Sequence, residues 1–127
     1  MMGLAISLLL HIGLRPDPVA CLDPAQARAR AGEQVDLAIA VVQAGVHDSV
    51  EAQQVDCPNH NQVLLVGDQR AVRALVDAQV GRNGGVVHAR VTGIVQIIPA
   101  PPGGGSSVFA LRLGRVDDVR VVPASAP

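Results

Sequence analysis

Val86 to Ile98 reads VVHARVTGIVQII. Val87, Ala89, Val91, Gly93, Val95 and Ile97 fall on one side of an extended chain, with His88, Arg90, Thr92 and Gln96 on the other. Side chains alternate across a strand with period two, so this stretch reads as one long strand with an apolar and a polar face. Gly93 has no side chain to pack, and in mid-strand it marks a bulge, a tight bend or a close backbone approach. Asn83-Gly84-Gly85, just upstream, is a turn signal.

Working outward, residues 68–81 carry the helical pattern. Val72, Leu75, Val76 and Val80 recur at helical spacing, opposite Arg70, Arg73 and Asp77. Asp68 can cap the first turn, and Gly81 can stop the helix in a left-handed conformation. Val63-Leu64-Leu65-Val66 suits a buried strand, and residues 50–57 suit a weaker one. Pro58-Asn59-His60-Asn61 is a turn by composition. Val35, Leu37, Ile39 and Val41 alternate with Asp36, Ala38 and Ala40 as a further strand. Downstream, residues 99–107 (PAPPGGGSS) form a loop. Val108 to Arg115 follows as a strand with Phe109, Leu111 and Leu113 inward, and Val116 to Val122 continues its β character.

The expected fold is mainly β with one helix, in the order β-β-β-α-β-β, forming a small antiparallel barrel or curved sheet over residues 35–122. One helix among the strands of a curved sheet, a long bent strand and a valine-rich closing strand resemble small bacterial exported proteins with an OB-fold-like barrel. The resemblance implies a ligand face on the mid-sheet strands and their flanking loops, without specifying the ligand.

The chain has 127 residues, enough for one domain, and 49% of them are apolar, too many for a disordered chain. All ten basic residues are Arg and the net charge is −1. Beyond Ala27 arginines and acids balance. A neutral surface gives no surplus of cations to displace phosphate counterions, and Phe109 is the single aromatic residue available for base stacking. Both observations argue against nucleic acid as a partner.

Met1 to Leu14 (MMGLAISLLLHIGL) is apolar, too short to span a bilayer, and followed by Arg15-Pro16-Asp17-Pro18. Residues 1–27 therefore read as a secretory signal segment, and residues 28–34 as a tether. Ala25-Gln26-Ala27 offers one cleavage site; Val19-Ala20 before Cys21 offers a lipobox-like one. The segment lacks a basic residue ahead of its apolar run, which leaves open a true start upstream of Met1. The alternative is that residues 4–14 form a buried strand or short helix of a cytoplasmic domain. Residues 123–127 read as a disordered tail.

The N-terminal reading controls the two cysteines. Cys21 and Cys57 pair as a disulfide if both are retained in an exported chain, or Cys21 is lipidated or removed and Cys57 stands alone. His47, Cys57 and His60 form a candidate metal set, and Cys57 with His60 or His88 a candidate nucleophile and base. Against these, a single Cys-x2-His pair falls short of standard zinc spacing, and Asp56 beside Cys57 works against thiolate formation. His88, Arg90, Thr92 and Gln96, joined by Arg112, form a candidate ligand face; the alternative is the ordinary solvated side of a strand.

The functional expectation is a non-enzymatic periplasmic, secreted or membrane-tethered binding domain. Its partner is a protein or small ligand, it needs no cofactor, and it meets a membrane only through a lipid on Cys21. Two alternatives stand beside it: a small metal- or thiol-dependent enzyme centred on Cys57 and His60, and a cytoplasmic nucleic-acid-binding accessory protein.

Overall fold

The computed structural model describes residues 21–46, 49–55, 57, 62–99, 102–103 and 108–124. The elements in chain order are α1 (Pro24–Ala29), β1 (Gln34–Val46), β2 (Ser49–Gln54), β3 (Gln62–Gly67), α2 (Gln69–Val80), β4 (Val86–Ile98) and β5 (Val108–Val122). The expectation of one helix and an all-antiparallel OB-like sheet is corrected on both counts. A second helix precedes the first strand, and the sheet is mixed because β3 and β5 run parallel. The order is α-β-β-β-α-β-β rather than β-β-β-α-β-β.

The strands pair in the order β1-β2-β3-β5-β4, and β4 returns to β1, giving a closed barrel. The β1–β4 register runs from Gln34 opposite Ile94 to Ala40 opposite His88. The β4–β5 ladder runs from Val86 opposite Val122 to Ile98 opposite Val108. Inward positions follow the period-two pattern. Val35, Leu37 and Ile39 of β1, Val87, Val91 and Val95 of β4, and Leu111 and Leu113 of β5 are all buried. Aliphatic side chains on every strand thus meet in one core, whose burial is the main term favouring the fold.

The register shifts twice along β4 and β5, and both shifts place the extra residue on β5. Gly114 is inserted opposite the Thr92–Gly93 step, and a second residue near Asp118 opposite the His88–Arg90 step. Asp118 has φ +53°, a conformation that short polar side chains tolerate. Beyond Leu113, β5 is paired with β4 alone. Its other edge therefore carries bulges and the charges Arg115, Asp117, Asp118 and Arg120, devices that discourage pairing with a foreign strand.

The two helices lie at opposite ends of the sheet. α2 leaves the end of β3 and contacts all five strands, burying Ala71, Val72 and Leu75. The Asp68 carboxylate accepts from the amides of Arg70 and Ala71, as the sequence predicts. Gly81 ends the helix with φ −91°, so the left-handed stop expected there is corrected. The positive φ values fall instead at Asn83 and Gly84, where the Gly85 amide donates to the Arg82 carbonyl and closes the turn into β4.

α1 leads into the start of β1 and contacts β4 and β5. Residues 28–34, expected as a tether, and residues 21–27, expected within a removed signal segment, belong to the fold. Pro24 starts α1, where its missing amide costs nothing, and the Asp23 carboxylate caps the Gln26 amide. Leu22 and Ala27 are fully buried in the core. The Gly32 amide donates to the Val95 carbonyl, and the Val95 amide to the Glu33 carbonyl, continuing the β1–β4 ladder one step outward. The proposed Ala25-Gln26-Ala27 cleavage would cut inside α1. Residues 1–20 and 125–127 lie outside the described residues.

Gln54, at the end of β2, fastens this N-terminal segment. Its side chain is 1% exposed. The Leu22 amide donates to Oε1 at 2.6 Å, and Nε2 donates to the Leu22 carbonyl at 2.9 Å. One amide side chain thus satisfies both backbone groups of a buried residue. Gln54→Ala strands that donor and acceptor, and is expected to lower the unfolding free energy by about 2 kcal/mol in urea titration. Gln54→Glu, which keeps the shape but not the Nε2 donor, should fall on the same side of wild type.

Candidate binding face

Cys21 and Cys57 form a disulfide across 36 positions of sequence, with Cα atoms 5.0 Å apart. Cys57 is 3% exposed, and Cys21 is half-buried. Of the fates open to Cys21, the structure shows the disulfide; lipidation is an alternative to it, because a thioether to lipid would consume the same sulfur. The same bond leaves Cys57 without a free thiol, so in this form it is neither a thiolate ligand nor a nucleophile. His47 and His60, the other members of the candidate metal set, lie outside the described residues. Among the described residues no three His, Cys, Asp or Glu side chains gather as a metal-binding group. A buried structural disulfide belongs to an oxidising, non-cytoplasmic environment.

The candidate ligand face divides in two. His88, Arg90, Thr92, Ile94 and Gln96 share the outward side of β4, but not all are available. Arg90 donates from Nη2 to Asp36 Oδ1 at 2.8 Å. Asp36 is 2% exposed although it sits on the outward side of β1. It lies opposite Thr92, which is itself buried, and Thr92 lies opposite Arg115 on β5. Arg90 faces Asp117, and Arg115 donates from Nε to Asp117 Oδ2 at 2.7 Å. This half of the face is an internal polar seam across three strands. A buried carboxylate needs its partner, so Arg90 is committed to structure. The exposed Arg115–Asp117 pair adds little stability.

The other half is open. Two in-register rows cross three strands: Ile94 on β4, Arg112 on β5 and Val66 on β3, then Gln96, Ala110 and Leu64. Ile94 is 40% exposed, Gln96 and Arg112 are exposed, and Val66 and Leu64 are half-buried. Ala110, between Gln96 and Leu64, is fully buried. Gly67, with φ +103°, sits at the edge of the strip. A Cβ there would lie 2.9 Å from Arg112 Cγ, so the missing side chain makes room for the arginine stem. The Arg112 guanidinium makes no hydrogen bond or ion pair with the described residues.

Of the five face residues read from sequence, the structure therefore keeps Gln96 and Arg112 in the open strip. It commits Arg90 and Thr92 to the seam and leaves His88 half-buried beyond them, opposite Arg120. Sequence reasoning missed Ile94, Val66 and Leu64. Parity with His88 places Ile94 on the face, but nothing local in VLLV distinguishes an outward Leu64 from an inward Leu65. The polar seam is not visible in sequence, because alternation places Asp36 opposite the apolar side of its strand without naming its cross-strand neighbours.

No family model matches the chain and no curated protein is similar to it. The resemblance to exported OB-fold proteins is thereby corrected as a family assignment, and the export signal, the lipid anchor and the family's ligand face lose that support.

Proposed function

We propose that this chain is a non-catalytic binding domain of an extracytoplasmic compartment, periplasmic or secreted. Its ligand face is the strip of Ile94, Gln96, Arg112, Val66 and Leu64. The observation that supports the reading is the strip itself. A guanidinium without a partner among the described residues stands among exposed and half-buried aliphatic side chains on three paired strands. Aliphatic contact area beside one directed polar group is the usual make-up of a protein-binding surface. Arg is also among the residues that most often dominate binding energy at such surfaces. Strands hold the side chains at fixed spacing, so the face needs no reordering before it binds.

Photo-crosslinking in the producing cell tests this. A crosslinking residue at Gln96 should trap a discrete partner in the extracytoplasmic fraction. The same residue at Val80, which is 82% exposed on α2, should not. Arg112→Glu should abolish the Gln96 adduct without shifting the thermal midpoint. Equal trapping at both positions, or recovery of the chain in the cytoplasm with free thiols, would sink the proposal.

A further inference from the structure

We propose that residues 21–33 are a redox-released strap: reduction of Cys21–Cys57 by a dithiol frees them from a closed sheet that keeps its fold, uncovering the apolar end of the sheet where Leu22 and Ala27 sit. The inference goes beyond the binding reading and uses a different part of the molecule.

The strand circuit does not need the strap. Closure is made by the β1–β4 ladder, which begins at Gln34 opposite Ile94, after the strap has ended. The strap is held by few contacts. Among the described residues, its contacts include the buried side chains of Leu22 and Ala27, the two Gln54 hydrogen bonds, the two backbone bonds to Val95 and the disulfide. Its remaining residues from Pro24 to Glu33 are exposed. Ordering so many exposed residues costs conformational entropy that two buried side chains and a few hydrogen bonds do not match. The covalent tie supplies the difference, and segments with few buried contacts are the first to open locally.

The two sulfurs also differ in access. Cys21 is half-buried on the strap, whereas Cys57 is 3% exposed. A thiolate of the reductant therefore attacks Cys21 Sγ. The S–S bond breaks, the electron pair leaves with Cys57 Sγ, and that sulfur takes up a proton. The second thiol of the reductant resolves the mixed disulfide and releases Cys21 as a thiol. The protein gains two electrons and two protons, and the dithiol becomes a disulfide.

Limited trypsin digestion of the full chain, with and without dithiothreitol, tests the inference. Arg28 and Arg30 are exposed on the strap. Cleavage follows the population of open strap, so cutting after Arg28 or Arg30 should rise at least about tenfold on reduction. The circular dichroism of the strands should stay unchanged, and Arg90, Arg112 and Arg115 should remain uncut. Cys21→Ser should be cut at the same two positions without reductant. An unchanged cleavage rate would overturn the proposal. So would cleavage spread over the strand arginines with loss of the strand signal, because the disulfide would then hold the whole fold.

Discussion

Replacing Cys21 and Cys57 together by serine lowers the free energy of unfolding by about 3 kcal/mol. The bond closes a 36-position loop. Chain-entropy arguments for a loop of that length give a loss of about 4 kcal/mol when the constraint is removed. The expected loss is smaller because a native state that lets the strap go recovers part of the entropy. For a domain of this size the thermal midpoint falls by roughly 10–15 °C. The urea slope adds a second reading. If the strap is released in the folded variant, less surface remains to be exposed on unfolding, and the slope falls slightly. A variant within about 1 kcal/mol of wild type would mean that Gln54 and Leu22 hold the segment unaided.

The strands and α2 were legible because their signals are local. Val86–Ile98 alternates over its whole length, and the helix over Gln69–Val80 carries both its spacing and its Asp68 cap in sequence. α1 was not legible. PAQARA has no apolar stripe, since its one buried side chain is Ala27, and Leu22 lies outside the helix. What makes these residues part of the fold is tertiary: an amide from Gln54, 32 positions away, and a covalent bond to Cys57. Tertiary contacts of this kind override local propensity. The parallel β3–β5 pairing was hidden for the same reason. It joins Leu64 to Ala110, and no property of either segment names the other.

The candidate face shows the same division. Alternation placed Gln96 and Arg112 outward, which is a local fact. Whether an outward residue is free depends on its cross-strand neighbours. Sequence alone puts Arg90 and Thr92 on the candidate ligand face, because alternation does not give the register of β1 or β5 against β4. Once Asp36 stands opposite Thr92, and Asp117 opposite Arg90, the two residues become the middle of a polar seam. Sheet register thus decides where structure ends and a binding surface begins.

Gly93→Ala is expected to destabilise the domain by about 3 kcal/mol or more, with a strongly reduced yield of folded protein. Gly93 lies at the register shift between β4 and β5 and is also paired with Val35 of β1. A Cβ at this position would run into the Arg112 carbonyl oxygen, and would lie 2.9 Å from both the Arg112 carbonyl carbon and Leu111 Cγ. Two of these atoms are backbone in a strand paired on both sides, so they cannot turn aside as a surface side chain would. Relief requires β5 to shift, and that shift would tear both its ladder to β4 and its parallel pairing to β3. Gly114 gives the control. It is the inserted residue at the same irregularity, yet a Cβ there would meet its nearest neighbour, the Thr92 carbonyl oxygen, at 3.8 Å. Gly114→Ala should therefore stay within about 0.5 kcal/mol of wild type. Thermal melts of the two variants separate a backbone approach that only glycine permits from a general intolerance of the bulge. The outcome also bears on the proposed binding face, because the backbone displaced by an alanine at position 93 is that of Arg112. A Gly93→Ala protein that folds but loses the Gln96 crosslink would show that the close packing of β4 on β5 holds Arg112 in place on the surface.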